Sequence, residues 1–298
     1  MTTMLPWRDV ATAIVELQHD ATSDQRVLVD RIRAYDDVID DMKDWVSPNP
    51  HRTTWRDVTL LAHPTSRQLG KQWITAHMYH NTDRVFDTFG VPPHGHREMN
   101  SMEINFDEDG SHTFVQRAVG VWDAALETVV AMYREHTGSM FTMDGFHPIG
   151  SESHVEVDAN TTLRQYRPRH GPFVNLLCGE FHESHRCILV IQQIQSDEAV
   201  GRNGVHRSRK MWIELKRDSP AVTSERVVHL MSHEMNALGR PVPLAETGRK
   251  WGVDLSSVDP AQVEARFLQA YRRHVAATIA ERSAWYVALQ AQVEQMRS

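Results

Sequence analysis

The chain has 298 residues, of which 41% are hydrophobic and 24% are charged, and its formal net charge is −7. This composition is typical of a folded globular protein, and the acidic balance excludes a general nucleic-acid binder, which needs a basic face to neutralise phosphates. No apolar run approaches the roughly 18 residues of a membrane span, and the N-terminus lacks the pattern of a secretory signal. We therefore expect a cytoplasmic protein that has neither a membrane nor a nucleic acid as its partner.

Helical periodicity dominates the chain. Two helices are predicted near the N-terminus, from Pro6 and from Ser23. Five more are predicted over the longer periodic segments: residues 65–89, 113–135, 172–197, 224–238 and 260–296. A loop-rich stretch over residues 139–171 contains two alternating segments, His154–Val157 and Thr162–Tyr166, which predict a small hairpin. The pattern predicts a mainly α protein: one helical domain over residues 1–298, a bundle with short hairpin and loop insertions.

Histidine is the unusual residue, with 18 copies. His77 and His185 each lie on the apolar stripe of a predicted helix, and His274 is a third candidate for a buried position. A buried imidazole needs partners for its ring nitrogens, and metal ligation supplies one. The alternative for each is a core histidine bonded to a backbone carbonyl or a buried carboxylate.

Other histidines form close pairs. His80 and His182 give each of those two helices a pair of histidines three residues apart, so that four imidazoles together have the donors for a non-haem metal. His229 and His233 are four residues apart, but the acid Glu234 follows them, whereas a zinc-protease helix places its glutamate between the histidines. No glycine-rich nucleotide loop, nucleophile elbow or Cys-x-x-Cys pair is present.

Two segments carry a family resemblance. The segment WITAHMYHNTDRVF, residues 73–86, resembles the distal helix of the tryptophan-dioxygenase family, and HRCILVIQQIQSDEAVGRNG, residues 185–204, is similar to its proximal helix. In that superfamily of histidine-ligated haem aromatic oxygenases, the branch of matching size hydroxylates L-tyrosine. The resemblance therefore implies a haem-enclosing helical bundle that converts L-tyrosine to 3,4-dihydroxyphenylalanine with hydrogen peroxide, in an antibiotic pathway.

The resemblance also implies roles for particular residues. His185 would ligate the iron of haem b, with Phe181 lining the haem slot, and His77 on the opposite wall would move a proton of the phenol or of the peroxide. Arg117 and Arg202 are candidates for the substrate carboxylate, because a guanidinium binds a carboxylate with two hydrogen bonds, and Asn81 is a candidate for the pocket wall.

Several alternatives stay open at this stage. His274 can replace His185 as the axial ligand, and the oxidant can be peroxide or dioxygen. The sequence also leaves open whether the protein is a homodimer and whether haem is covalently attached. A non-haem iron or zinc enzyme using the clustered histidines is a second hypothesis. A non-catalytic helical protein that binds a ligand is the third.

Overall fold

The computed structural model describes most of the chain in segments. They are residues 58–106, 111–142, 154–166, 173–202, 207–236, 240–250 and 252–274, with isolated positions near both ends. By its internal contacts the chain divides into two compact units, residues 1–54 and residues 55–298. In the first unit the described residues are 25, 26, 28, 29 and 33, and all of them are helical. Most of the two predicted N-terminal helices lies outside the described residues.

The second unit is built around β-strands. Its helices are α1 (Pro64–His80), α2 (Thr82–Thr88), α3 (Leu126–Thr142), α4 (Leu244–Lys250), a 3₁₀ turn (Pro260–Gln262) and a C-terminal helix over residues 263–274. Its strands are β1 (Thr59–Leu60), β2 (Met99–Phe106), β3 (His112–Trp122), β4 (His154–Asp158), β5 (Thr161–Tyr166), β6 (Val174–His182), β7 (Arg186–Gln193), β8 (Ser196–Asp197), β9 (Gly201–Arg202), β10 (Arg209–Ser219) and β11 (Val222–Ser232).

Eight of these strands form one antiparallel sheet in the order β2-β3-β11-β10-β7-β6-β5-β4. The prediction of a mainly α bundle is therefore wrong. The predicted helix over 172–197 is the hairpin β6–β7, and the one over 224–238 is strand β11. The predicted helix over 113–135 is strand β3 in its first half and the beginning of α3, a helix as predicted, in its second. The small hairpin is confirmed as β4–β5, and the helix over 65–89 is confirmed as α1 and α2, which meet at Asn81.

The errors have a physical cause. Residues four apart share a face in a helix, and they also share a face in a strand, where the period is two. The apolar stripe read over 172–197 advances mainly in steps of four, so it fits either structure. The β-branched residues of the run CILVI, residues 187–191, favour a strand, and a fully buried strand cannot be distinguished from a buried helix by periodicity alone.

The two faces of the large sheet are covered by different elements. The face that we call the outer face carries α1, which packs on β5, β6 and β7. Gly179 in β6 permits this close approach, because a Cβ atom there would lie 2.5 Å from the Cβ of Thr75. The indole N–H of Trp212, in β10, donates a hydrogen bond to the carbonyl of Met78 at 3.0 Å.

The opposite face, which we call the inner face, carries α3 and the C-terminal helix over different parts of the sheet. Leu126, Val129 and Tyr133 of α3 pack with side chains of β6, β7 and β10, and we call this the α3 cluster. Phe267 and Tyr271 of the C-terminal helix pack with Phe114 of β3 and Met231 of β11, and we call this the C-terminal cluster. Within the described residues, no helix is both long and apolar enough to cross a membrane.

Candidate ligand-binding site

Gln116 and His229 lie between the two apolar clusters of the inner face. Gln116 follows Phe114 by two residues in β3 and precedes Ala118 by two, so the three side chains share a face. The register places Gln116 directly opposite His229 of β11. Their side chains are therefore neighbours at the point where the α3 cluster ends and the C-terminal cluster begins.

Both residues are removed from solvent. Gln116 is 2% exposed and His229 is 0% exposed. The side chain of Gln116 forms no hydrogen bond with any residue in the described part of the chain, and its Oε1 atom is buried. A buried amide oxygen left without a partner costs about 1–3 kcal/mol of stability. Gln116 is therefore an unfavourable residue for this position unless another molecule meets its amide.

Two other buried amides differ from Gln116 in this respect. Asn175 and Gln192 also have a side-chain oxygen without a partner among the described residues, but each donates through its amide nitrogen. Asn175 donates to Asp197 at 2.8 Å, and Gln192 donates to the carbonyl of Gln193 at 2.8 Å. Their side chains are anchored in the fold, whereas that of Gln116 is held by packing alone.

Further polar groups extend this region of the inner face. His112 and His233 lie side by side at the end of the same strand pair, with ring centroids 5.4 Å apart, and His112 also contacts Phe267 of the C-terminal helix. Arg209, opposite Met231 in the register, donates to the amide oxygen of Gln193 at 3.1 Å. The inner face thus combines apolar walls with a few buried imidazole, amide and guanidinium groups.

A separate open depression adjoins the C-terminal cluster. It has a volume of about 320 Å³ and is lined by residues 253–255 and 257–259, together with Gln262 and Arg266. Leu255 belongs both to this lining and to the C-terminal cluster. Its charged groups are Asp254, which accepts hydrogen bonds from Ser256, and Asp259 and Arg266.

The outer face buries several ion pairs, and one group of them joins α1 to the sheet. The guanidinium of Arg67 forms two hydrogen bonds with Asp197, at 2.7 and 2.8 Å, and others with Glu156. Asp197 also accepts from Gln165 and Asn175. Burial raises the pKa of Asp197, but the hydrogen bonds from Arg67 and Asn175 outweigh burial, so the net shift is downward.

A second outer-face group surrounds Glu214 of β10. Its carboxylate accepts from Arg186 at 2.8 Å and from Arg226 at 2.9 Å, and Nε2 of His94 lies 3.0 Å away. Burial raises the pKa of Glu214, but the hydrogen bonds from His94 and Arg186 outweigh it and bring the pKa to about 2. Arg226 also lies over the ring of Phe86 at 4.3 Å, which ties α2 to the sheet.

The residues predicted for a haem site occupy exposed or structural positions. His185 is exposed in the turn between β6 and β7, where Nδ1 lies 3.1 Å from the hydroxyl of Ser184. His77 is exposed on α1 and stacks on Trp73 with ring centroids 5.2 Å apart. Burial lowers the pKa of His77, and the charges of Lys210 and Arg84 lower it further. His77 therefore lies off the buried face of α1, and the segment around His185 is not a helix.

The remaining predicted residues are spread over several elements. Phe181 of β6 stacks on Tyr79 at 4.3 Å, and Asn81 donates to the carbonyl of His77 at 2.7 Å, so these two lie near His77 at the end of α1. Arg117 of β3 donates to the carbonyl of Phe89 and to Ser101, and it pairs with Glu103. Arg202 lies in β9 and belongs to a different, three-stranded sheet. His274 is exposed on the C-terminal helix.

The histidine doublets do not meet as predicted. The described histidine, cysteine and acidic residues form one group of three with converging donor atoms, and it joins His182 to Glu180 and Cys187 rather than to His77 and His80. His229 and His233 lie in and just after a strand, not on a helix.

Sequence reasoning missed Gln116 altogether and gave His229 a different role. The available signal is alternation: in FVQRAV, residues 114–119, a polar glutamine stands at a position whose neighbours two residues away are apolar. That signal can be read only if the segment is a strand.

Comparisons with known proteins add little about function. No family model and no curated protein matches the chain. A conserved protein from Geobacillus kaustophilus is 6% identical and has a TM-score of 0.31, over 61% of this chain and 95% of that one. An uncharacterized protein from Rhizobium leguminosarum is 7% identical, with a TM-score of 0.29 over 66% and 99%. CalU16 from Micromonospora echinospora is 12% identical, with a TM-score of 0.24 over 65% and 99%.

These scores are too low to support an argument about function. The resemblance to the tryptophan-dioxygenase family is nevertheless overturned by the fold. The segment that resembled the proximal helix forms β7 and the short strands β8 and β9, and the chain is dominated by an antiparallel sheet.

Proposed function

We propose that this protein binds a small, mainly apolar organic molecule on the inner face of its sheet, between α3 and the C-terminal helix. The observation that carries the proposal is the buried side chain of Gln116, which makes no hydrogen bond within the described residues. A ligand that donates a hydrogen bond to Oε1 of Gln116 removes the cost of that unpartnered group.

The surroundings define the class of ligand. Phe114 and Met231 lie on one side of Gln116, and Ala118 and Val227 lie on the other. Small-molecule sites are mostly apolar, with a few polar groups that orient the ligand. The ligand is therefore an aromatic or alicyclic molecule that carries one donor, such as a hydroxyl or an amine. His229 faces the same group from the neighbouring strand and selects its orientation.

The donor requirement gives a direct test. The purified protein is titrated with 2-naphthol and with naphthalene, which share an apolar body but differ in the hydroxyl donor. We expect 2-naphthol to bind about tenfold more tightly, the value of one buried hydrogen bond, and Gln116→Leu to abolish that difference. Equal affinities of the wild type for both probes, or a difference that survives in Gln116→Leu, would overturn the proposal.

The matched control variant is Gln192→Leu. It removes a buried glutamine from the outer face, which the proposed ligand does not touch. This variant is expected to keep the preference for 2-naphthol. Loss of the preference in Gln192→Leu as well would assign the effect to general destabilisation and not to contact with the ligand.

Haem-dependent hydroxylation of L-tyrosine stays a prediction from the sequence, as do peroxide, haem b and an enzymatic role. An absorption spectrum of the purified protein with added haemin, with and without L-tyrosine, tests the haem prediction separately. A Soret band that L-tyrosine perturbs would support it, and a folded protein that takes up no haemin would exclude it.

A further inference from the structure

Three potential metal ligands converge near the turn of the β6–β7 hairpin, away from Gln116. The register pairs His182 of β6 with Cys187 of β7, and Glu180 precedes His182 by two residues on the same face of the strand. A carboxylate oxygen, a ring nitrogen and the sulfur atom of these residues all lie within 4.8 Å of one another. An ion at their centre is within reach of all three.

We propose that Glu180, His182 and Cys187 bind a zinc ion. Thiolate, imidazole and carboxylate are the three protein ligands that zinc uses, and three of them leave a fourth tetrahedral position for water. A hard cation such as magnesium or calcium prefers oxygen ligands alone, so the sulfur and the nitrogen favour a softer metal. On binding, the Cys187 thiol releases its proton to solvent, and the thiolate and the carboxylate balance the two positive charges of the ion.

The surroundings provide a route of entry and a support. His182 is exposed and Glu180 is partly exposed, whereas Cys187 is buried beneath them in the α3 cluster. A metal ion therefore reaches the site from solvent and meets the sulfur last. Arg134 of α3 bonds both oxygens of Glu180. Because zinc needs only one of these oxygens, Arg134 keeps the other and orients the carboxylate.

The test uses cobalt(II) as a spectroscopic substitute for zinc, on the full chain under reducing conditions. Cobalt bound to a thiolate gives an intense charge-transfer absorption in the near ultraviolet, which histidine sites elsewhere on the chain do not produce. We expect this absorption at one cobalt per chain, and we expect zinc to displace the cobalt and abolish it. Cobalt binding without the thiolate band would overturn the proposal, and so would no binding at all.

Two pairs of variants locate the site. Cys187→Ala is expected to lose the band, and Cys178→Ala, which removes the other cysteine from the same face of the hairpin, is expected to keep it. His182→Ala changes an exposed residue and leaves the core intact, so it covers the case in which Cys187→Ala does not fold. It is expected to weaken cobalt binding at least about tenfold, whereas His185→Ala in the adjoining turn does not. A band retained in both Cys187→Ala and His182→Ala would place the metal elsewhere.

Discussion

The two faces of the large sheet differ in how their buried polar groups are partnered, as a comparison of three outer-face residues with Gln116 shows. On the outer face, Arg67, Asp197 and Glu214 carry charges, and each charge meets an opposite charge within about 3 Å. Between the apolar clusters of the inner face, Gln116 is neutral and makes no hydrogen bond within the described residues. Paired charges hold elements in position, whereas an unpartnered neutral group is better suited to receive a ligand. The comparison separates a structural face from a candidate functional one.

The largest expected effect is the loss of a buried charge pair on the outer face. Arg67→Leu leaves Asp197 buried without its main cation, and we expect unfolding by urea to show a loss of about 3–5 kcal/mol. Arg217→Ala is the control, because its pair with Glu127 is exposed and contributes less than about 1 kcal/mol. Similar losses in the two variants would remove the distinction between buried and exposed pairs.

The second effect is a dependence of stability on acid pH. Glu214 has a folded-state pKa of about 2, below its ordinary value of 4.5, so its contribution is present above the ordinary value and is lost as the pH falls towards 2. This lowering of the pKa of Glu214 corresponds to about 3 kcal/mol of folding stability at neutral pH. Glu214→Gln cannot titrate, so we expect its unfolding free energy to fall less than that of the wild type between pH 6 and pH 2. Equal falls would show that other carboxyl groups control acid unfolding.

A smaller effect of opposite sign is expected on the inner face. Gln116→Leu removes a buried amide that makes no hydrogen bond within the described residues, so we expect the variant to be about 1 kcal/mol more stable in thermal or urea unfolding. Gln192→Leu breaks the hydrogen bond to the carbonyl of Gln193 and is expected to be about 1 kcal/mol less stable. If both variants lose stability equally, Gln116 does not cost the protein stability, and the contrast between the two faces fails.

The smallest expected change concerns Lys210, a cation of the outer face. It is half-buried, forms no ion pair within the described residues, and burial lowers its pKa to about 8. Its uncharged amine is therefore abundant near pH 8, and we expect its acetylation rate, followed by peptide mass spectrometry, to rise with a midpoint near that pH. Free Nα-acetyl-lysine, with a pKa of about 10.4, is the control. A midpoint shared with the control would show that Lys210 is solvated or paired.

Part of this architecture was predictable from local signals. Residues 64–88 contain helix-forming side chains and end before Gly90 and two prolines, and α1 and α2 form there as predicted. The hairpin β4–β5 follows from its strict alternation. The segments that became β3, β6, β7 and β11 were read as helices. Over 172–197 the reason is that apolar spacings of four satisfy both periods.

The candidate site could not be found in the same way. Gln116 is one polar residue within an apolar run, and His229 was interpreted as part of a helical doublet. Their adjacency depends on the register between β3 and β11, which joins residues more than 100 positions apart. The same is true of the contact between Arg67 and Asp197.

The amino-acid sequence by itself determined a globular composition, an acidic charge, the helical segment that forms α1 and α2, and the hairpin β4–β5. Each of these depends on composition or on neighbours a few residues away. Only the tertiary structure decided that the long apolar runs are strands and which face each polar side chain occupies. The physical reason is that strand pairing is non-local: the free energy that selects a strand over a helix comes from hydrogen bonds and packing with segments distant in the chain.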